Sequence, residues 1–319
     1  MTQTIGLCIL GAGAIAERHM QALERLGGVL PRWVVSRREE AAGDFARRWK
    51  FAHSGTSVER ALADPHVQIL LITSPSALHS EQAVQAMEAG KDVIVEIPVA
   101  LSWHEVQQVS QAAAALGRRV WVCHTMRSYA ALREVRQRVR DGRLHITHIT
   151  GFFGIPRRRN QGMGGTSTRN WIDNLLWHHG CHQVDSSLWV LGMPRVSQVQ
   201  ALFGPAHPTL GMALDVGVQI VTAGGELITQ SLTYNLERLA WRLQFIGHED
   251  VLTYDSGRLT NEAGDVLVAE TPLDDLTEQN RELLHAWRSG EACEYDLASV
   301  LPTMEVLGRA QQSSEETSR

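Results

Sequence analysis

Between Trp177 and Asp185 the chain reads Trp-His-His-Gly-Cys-His-Gln-Val-Asp, which places three imidazoles and a carboxylate within nine residues. On a helix, His178, His182 and Asp185 follow one another at i, i+4 and i+7 and share a face, while His179 points elsewhere. Two chemistries fit that spacing. A histidine with its ordinary pKa of about 6.5 takes up a proton near neutrality when a hydroxyl lies within hydrogen-bond reach. Alternatively, His178, Cys181 and His182 at i, i+3 and i+4 offer ligands for a mononuclear zinc, with Asp185 completing or orienting the set. No HExxH pattern accompanies them.

A second chemistry is written at the start of the chain. The apolar run Ile5 to Leu10 leads directly into Gly11-Ala-Gly13-Ala14-Ile15-Ala16 and then a helix-period segment through Leu26. A G-x-G-x-x-G/A loop between a strand and a helix lets the backbone turn sharply and brings a pyrophosphate to the helix N-terminus. Gly11, Gly13, Ala14 and Ile15 are therefore candidate dinucleotide contacts. After the next apolar segment, Trp33 to Val35, the acid expected for ribose hydroxyls is replaced by Ser36-Arg37-Arg38. A small hydroxyl and two forked, permanently charged donors suit a 2′-phosphate, so NADP is the expected cofactor, with NAD the other option. With a dinucleotide loop upstream, the histidine cluster reads as a proton-transfer site and the zinc reading recedes.

The elements around these residues define the architecture. Val67 to Thr73, Asp92 to Val95 and Arg119 to Cys123 read as buried strands, separated by helices through Val84 and Met87 and from Ser102 to Leu116. That alternation predicts an α/β domain, a Rossmann doubly wound parallel sheet over residues 1–124. After His124 comes an arginine-rich helix from Leu132 to Arg140. Runs with strand alternation then follow at Ile146 to Phe153, Val196 to Phe203, Leu214 to Val221, Leu227 to Leu232 and Arg242 to Ile246. They predict an α+β domain over 125–310, built on a largely antiparallel open sheet with the histidine-bearing helix among its strands. An amphipathic helix is expected near Leu276 to Arg288, and a disordered polar tail over 311–319.

The totals narrow the function. With 319 residues and a net charge of -5, the chain is long enough for two cores and carries no basic field for nucleic acid. Cys8, Cys123, Cys181 and Cys293 form no CxxC pair, which points to neither a disulfide framework nor a zinc ribbon. No apolar run approaches the roughly 20 residues of a membrane span and no leader is visible, so a cytoplasmic protein is expected.

These motifs, together with TSPSALH (Thr73 to His79), AGKDVIVEIP (Ala89 to Pro98) and His124 with Arg127, resemble the Gfo/Idh/MocA oxidoreductases over nearly the whole chain. The resemblance implies that Thr73, Ser74, Pro75 and His79 lie along the dinucleotide, with Glu96, Ile97 and Pro98 near the nicotinamide. RNWIDNLLWHHGCHQVD (Arg169 to Asp185) and GPAHPTLGMALDVGVQI (Gly204 to Ile220) are similar to a subgroup that oxidises a cyclic hemiacetal from aromatic ring cleavage with NADP. In the family pattern Asp-x-x-x-His-x-x-Asp, His182 matches the histidine and Asp185 the second aspartate, while His178 replaces the first. Ile97 stands where most of the family has lysine. The resemblance thus implies His182 as general base, His178 as a residue that binds or orients substrate, and Asp185 as one that fixes an imidazole tautomer. The segments Met126 to Tyr129 and Asn235 to Trp241 depart from the subgroup's pattern.

A carboxylate substrate calls for guanidinium or imidazolium partners. Arg127, Arg169 and His179 are the candidates, with the Arg157 to Arg159 loop in reserve, and Trp171 and Trp177 are candidate walls for a ring. Two other activities fit the same residues, a sugar or cyclitol dehydrogenase and a non-catalytic NADP-binding regulator. Expected partners are a small carboxylate and, by the resemblance, further copies of the chain as a homodimer or homotetramer, with no nucleic acid and no membrane.

Overall fold

The computed structural model describes residues 4–158, 174–269 and 274–317, which fall into two compact units. The first is formed by Met1–His124 and Leu276–Val300, the second by Thr125–Asp275 and Leu301–Arg319.

The first unit runs β1 (Ile5–Leu10), α1 (Ala14–Leu26), β2 (Val29–Val35), α2 (Glu39–Trp49), β3 (His53–Gly55), α3 (Val58–Leu62), β4 (Ile69–Ile72), α4 (His79–Glu88), β5 (Asp92–Glu96), α5 (Trp103–Leu116) and β6 (Val120–Cys123). Its six strands are parallel in the order β3-β2-β1-β4-β5-β6, a doubly wound sheet whose order reverses beside β1. All six residues of β1 are buried, as a central strand covered on both faces demands.

The second unit runs α6 (Ala130–Arg140), β7 (Ile146–Pro156), a π-helical stretch Leu175–Gly180 continuing into α7 (Cys181–Val190), β8 (Val196–Phe203), β9 (Asp215–Thr222), β10 (Leu227–Thr233), β11 (Asn235–Gly247), β12 (Val251–Asp255), β13 (Arg258–Thr260) and β14 (Val266–Ala269). The sheet order is β14-β13-β12-β11-β7-β10-β9-β8, antiparallel except where β10 runs parallel to β7. Burial alternates along β9 and β10, so one face carries Val216, Val218, Ile220, Ile228 and Leu232 inward while Gly217, Gln219 and Ser231 look out. The helices α6 and α7 pack on this sheet. Both expected architectures are present. Strand β3 and the three short strands β12 to β14 are not legible in the sequence, because their few residues carry too little alternation to stand out.

Two expectations are corrected at the C-terminal end. Helix α8 (Asp274–Ser289) belongs to the first unit, because Leu283, Leu284 and Ala286 join the core of Ile5, Leu7, Ile9 and Ile69. The chain then extends that sheet through Val122 N–H to the Tyr295 carbonyl and a bridge from Trp121 to Asp296. An amphipathic period shows that a helix has an apolar side without showing which sheet covers it. Nor is residue 311 the start of a tail, since α9 (Leu297–Thr317) continues past it, with Ser313 Oγ accepting from the Ala201 N–H at 2.9 Å. Among the described residues no helix is long and apolar enough to cross a membrane.

Candidate active site

The glycine loop has the geometry a phosphate needs. Gly11 has φ +108°, and a Cβ there would meet the Thr73 carbonyl at 2.7 Å, so β1 turns into α1 only through a residue without a side chain. Thr73 closes the loop from β4, donating its hydroxyl to the Leu10 carbonyl at 2.9 Å. Gly13 caps α1 in an extended conformation with no side-chain acceptor, and a Cβ there would meet nothing within 4 Å. The first N–H groups of α1, next to exposed Ala14 and half-buried Ile15, thus have no side-chain cap and lie at the positive end of the helix. These residues fit a dinucleotide pyrophosphate. At the end of β2, Ser36 is half-buried with its N–H held by the Gly55 carbonyl, and Arg37 and Arg38 are exposed and paired with no carboxylate among the described residues.

Two buried histidines hold the next loops. His79 contacts the Ser74 carbonyl through Nε2 and the Pro98 carbonyl through Nδ1, each at 2.8 Å, and so ties the turn after β4 to the turn after β5. Ser74 is further fixed by donation to Gln82 at 2.6 Å, and Pro75 opens the short turn before α4. Ile97 is buried. Glu96 accepts from the Ile97 N–H at 3.3 Å and lies 2.7 Å from His19 Nε2. On its other side His19 Nδ1 faces Asn280 Oδ1 at 3.2 Å, while the Asn280 amide donates to the Leu276 carbonyl. His19 and Asn280 were not singled out in the sequence, although the spacing of Ala16, His19, Met20 and Leu23 puts His19 on the buried face of α1, where an imidazole needs a partner.

Burial holds the His79 imidazole below its ordinary value of about 6.5, against the raising pull of the two carbonyls. The unfolded chain therefore binds this proton at higher pH than the folded one. The stability from the neutral ring is present above about pH 6.5 and is lost as pH falls through that value toward the lower folded pKa. Replacing His79 with Gln, which keeps one donor and cannot charge, is expected to flatten the acid side of the stability curve by up to about 1.4 kcal/mol per pH unit. Urea unfolding across about pH 5 to 8 checks this, and identical slopes for the two proteins would remove the assignment.

In the second unit, the Asn174 side chain accepts from the Trp177 N–H at 3.1 Å and starts the π-helical stretch. From Leu175 to Val190 every residue is buried except His178 and His182, which are half-buried. A helix buried nearly all round thus exposes one small polar window with two imidazoles in it. The His182 ring lies 5.4 Å from the ring of Trp241 on β11. His179 is buried, 2.7 Å from the Tyr234 hydroxyl and stacked on Phe153 at 4.6 Å. Trp177 is 2% exposed and belongs to the core.

Asp185 and Arg127 differ from the sequence reading. Each side chain is 1% exposed, and together they form a bidentate pair, Nε to Oδ2 at 2.8 Å and Nη2 to Oδ1 at 2.5 Å, with the Thr303 hydroxyl donating to Oδ1 at 2.8 Å. Asp185 therefore lies outside the window shared by His178 and His182, because the helix turns its i+7 position into the core. Arg127 commits two of its donors to that carboxylate. Arg158 lies against the Asn235 carbonyl and Glu237, and the Arg157 N–H donates to the Tyr234 carbonyl. Arg159, Arg169 and Trp171 lie outside the described residues.

The zinc reading of His178, Cys181 and His182 is not assembled. Cys181 is fully buried and burial pushes its thiol well above the usual range. The trio of ligand-type groups that does come within 4.8 Å among the described residues is His19, Glu96 and Cys123. There burial likewise raises the thiol, and the histidine and glutamate are already at hydrogen-bond distance.

A glycine loop opening onto an uncapped helix at the switch point of a 3-2-1-4-5-6 parallel sheet is the geometry of a dinucleotide-binding site. Residues 5–124 match the family model described as an oxidoreductase family with an NAD-binding Rossmann fold, and residues 111–262 match one described as the C-terminal part of bacterial oxidoreductases. The chain belongs to the Gfo/Idh/MocA oxidoreductase family. It is 33% identical over 311 residues to 4-carboxy-2-hydroxymuconate-6-semialdehyde dehydrogenase of a Sphingobium species, covering 95% of this chain and 96% of that one. It is 28% identical to inositol 2-dehydrogenase of Streptomyces avermitilis, over 74% of this chain and 67% of the relative. Among solved structures, levoglucosan dehydrogenase with NADH and L-sorbose shares the fold, with TM-score 0.86 at 17% identity, covering 98% of this chain and 97% of that one. An enzyme of gentamicin A biosynthesis in complex with NAD does so with TM-score 0.84 at 22% identity, covering 99% of this chain and 96% of that one.

Proposed function

We propose that this chain is an NADP-dependent dehydrogenase that oxidises the cyclic hemiacetal of 4-carboxy-2-hydroxymuconate-6-semialdehyde, or a close ring-cleavage carboxylate, to the lactone 2-pyrone-4,6-dicarboxylate. The observation that carries the reading is the full-length similarity to a dehydrogenase of that name. The half-buried pair His178 and His182 supports it by offering a base where the helix is otherwise sealed.

Oxidation of the hemiacetal carbon removes a hydride and a hydroxyl proton. The dinucleotide, when bound, supplies the hydride acceptor. Gly11, Gly13, Ala14 and Ile15 hold its pyrophosphate, Thr73 to Pro75 and Glu96 to Pro98 line its course, and Ser36, Arg37 and Arg38 take the 2′-phosphate. His182 accepts the proton and His178 binds or orients the substrate. With Ile97 in place of a lysine no ammonium assists the hydroxyl, and a hemiacetal hydroxyl, more acidic than a simple alcohol, tolerates that. Arg169 is the candidate partner for substrate carboxylates, with Arg157 to Arg159 in reserve. His179, stacked on Phe153 and bound to Tyr234, serves the frame of the site. The family resemblance supports a cytoplasmic homodimer or homotetramer.

A panel of ring-cleavage hemiacetals, inositols and sugars, followed at the absorbance of NADPH, tests the reading. Turnover of an inositol with failure of every dicarboxylate would replace it with the cyclitol dehydrogenase that the similarity to inositol 2-dehydrogenase favours. Dinucleotide binding without any turnover would leave a regulator. Arg37→Ala is expected to lower the preference for NADP over NAD about tenfold or more, the value of a charge-assisted phosphate contact. An unchanged ratio of kcat/KM values would sink the NADP assignment.

A further inference from the structure

On β11, Trp241, Leu243 and Phe245 alternate onto the helix-facing side of the sheet. Leu243 and Phe245 are fully buried, whereas Trp241 is half-buried: the row runs out of cover at its first residue. Just before it the strand bulges. Pairing passes from Asn235↔Pro156 to Ala240↔Gly154, five steps on β11 against two on β7, so the regular ladder begins only at Ala240.

The indole is fixed in this position. Its Nε1–H donates to Gln183 Oε1 at 3.0 Å, and Gln183 is a fully buried residue of α7 next in sequence to His182. Phe153, its register partner on β7, meets the ring edge-on at 5.2 Å and 85°, and Tyr129 flanks it at 6.5 Å. The polar end of the tryptophan is thus used inward. The indole ring lies 5.4 Å from the His182 ring. A half-exposed aromatic held by its only donor is a rigid surface that loses little side-chain freedom when something lies on it.

We propose that Trp241 is the wall on which a flat, conjugated ring lies when its hydroxyl faces His182, and that it selects planar ring carboxylates over puckered rings. A flat conjugated ring stacks on an indole face in an offset arrangement, with more face contact than a puckered ring can make. This rests on His182 as the base and names the substrate class of that same site. It also relocates the wall from Trp177, which is core, to a residue on a strand that the sequence did not connect with the histidines.

The test compares two competitors with the same carboxylate spacing, benzene-1,3-dicarboxylate and cis-cyclohexane-1,3-dicarboxylate, in wild type, Trp241→Phe and Trp241→Leu. Binding to the NADP-loaded protein is measured by calorimetry, alongside KM for the hemiacetal and the thermal midpoint of each variant. Wild type is expected to prefer the planar competitor about tenfold, Trp241→Phe to keep most of that preference, and Trp241→Leu to lose it while the saturated competitor binds as before. Equal loss of both competitors in Trp241→Leu, or a preference unchanged by either substitution, overturns the proposal. If Trp241→Leu does not fold, loss of the preference in a folded Trp241→Phe overturns it as well. Failure of the broader reading looks different, since wild type would then turn over an inositol or a sugar and no ring-cleavage hemiacetal.

Discussion

Replacing His182 with asparagine is expected to lower kcat by about 10² to 10⁴-fold at neutral pH while NADP binding is retained. Asparagine preserves the approximate size and one hydrogen bond of the imidazole, so the polar window in the helix stays filled and the fold is not at issue. What disappears is the group proposed to accept the hydroxyl proton. The loss should therefore fall on kcat and kcat/KM together, as for an interaction made only in the transition state. The acid limb of the kcat/KM profile, which reports protonation of the free enzyme's base, should vanish with it. Steady-state kinetics across pH and a calorimetric titration with NADP separate the two effects. His178→Asn is expected to act chiefly on KM, as suits a residue that orients substrate. A His182→Asn protein with the wild-type rate and an unaltered pH profile would transfer the base role elsewhere, and His178 would be next in line.

The second large effect is structural. Asp185→Asn leaves the Arg127 guanidinium buried at 1% exposure without its carboxylate, and breaking a buried pair in this way typically costs about 3–5 kcal/mol. For a chain of this size that is a fall in Tm on the order of 10 °C. The double substitution Arg127→Met with Asp185→Leu removes both charges and should recover most of the loss, because the pair's attraction is offset by the desolvation of two ions. Thr303 then keeps its hydroxyl but loses its acceptor, so recovery will be incomplete. Calorimetric midpoints of the two single variants and the double variant decide the matter. If Asp185→Asn melted with wild type and failed only in turnover, the aspartate would return to the catalytic role its position in the family pattern implies.

The contrast between these two residues marks where sequence reading stops. Asp185 follows His182 by three positions, and the motif groups them together. The helix nevertheless sends one to a partly exposed window and the other into a bidentate clamp with a residue 58 positions away. Periodicity predicts which side chains share a face. It cannot say that a helix will be buried on almost every face, since that depends on what the sheet and other helices supply around it. The same limit explains α8, whose apolar stripe was legible but whose partner core, around β1, lies more than 250 residues upstream.

The sequence by itself determined the dinucleotide loop, because Gly11 must adopt φ +108° against Thr73 and no other residue type does so at low cost. It determined the βα alternation of the first unit through runs of buried strand length. It determined the residue types of the two-imidazole window and, through Arg37 and Arg38, a cofactor preference open to test. All of these are local, fixed by backbone sterics, period or the chemistry of adjacent side chains. Only the tertiary structure decided that Arg127 and Asp185 are one buried pair, that His179 and Trp177 belong to the frame, that His19 holds Glu96, and that Trp241 meets His182. Each of those joins elements distant in the chain, and a side chain's partner is set by the surfaces packing brings to it.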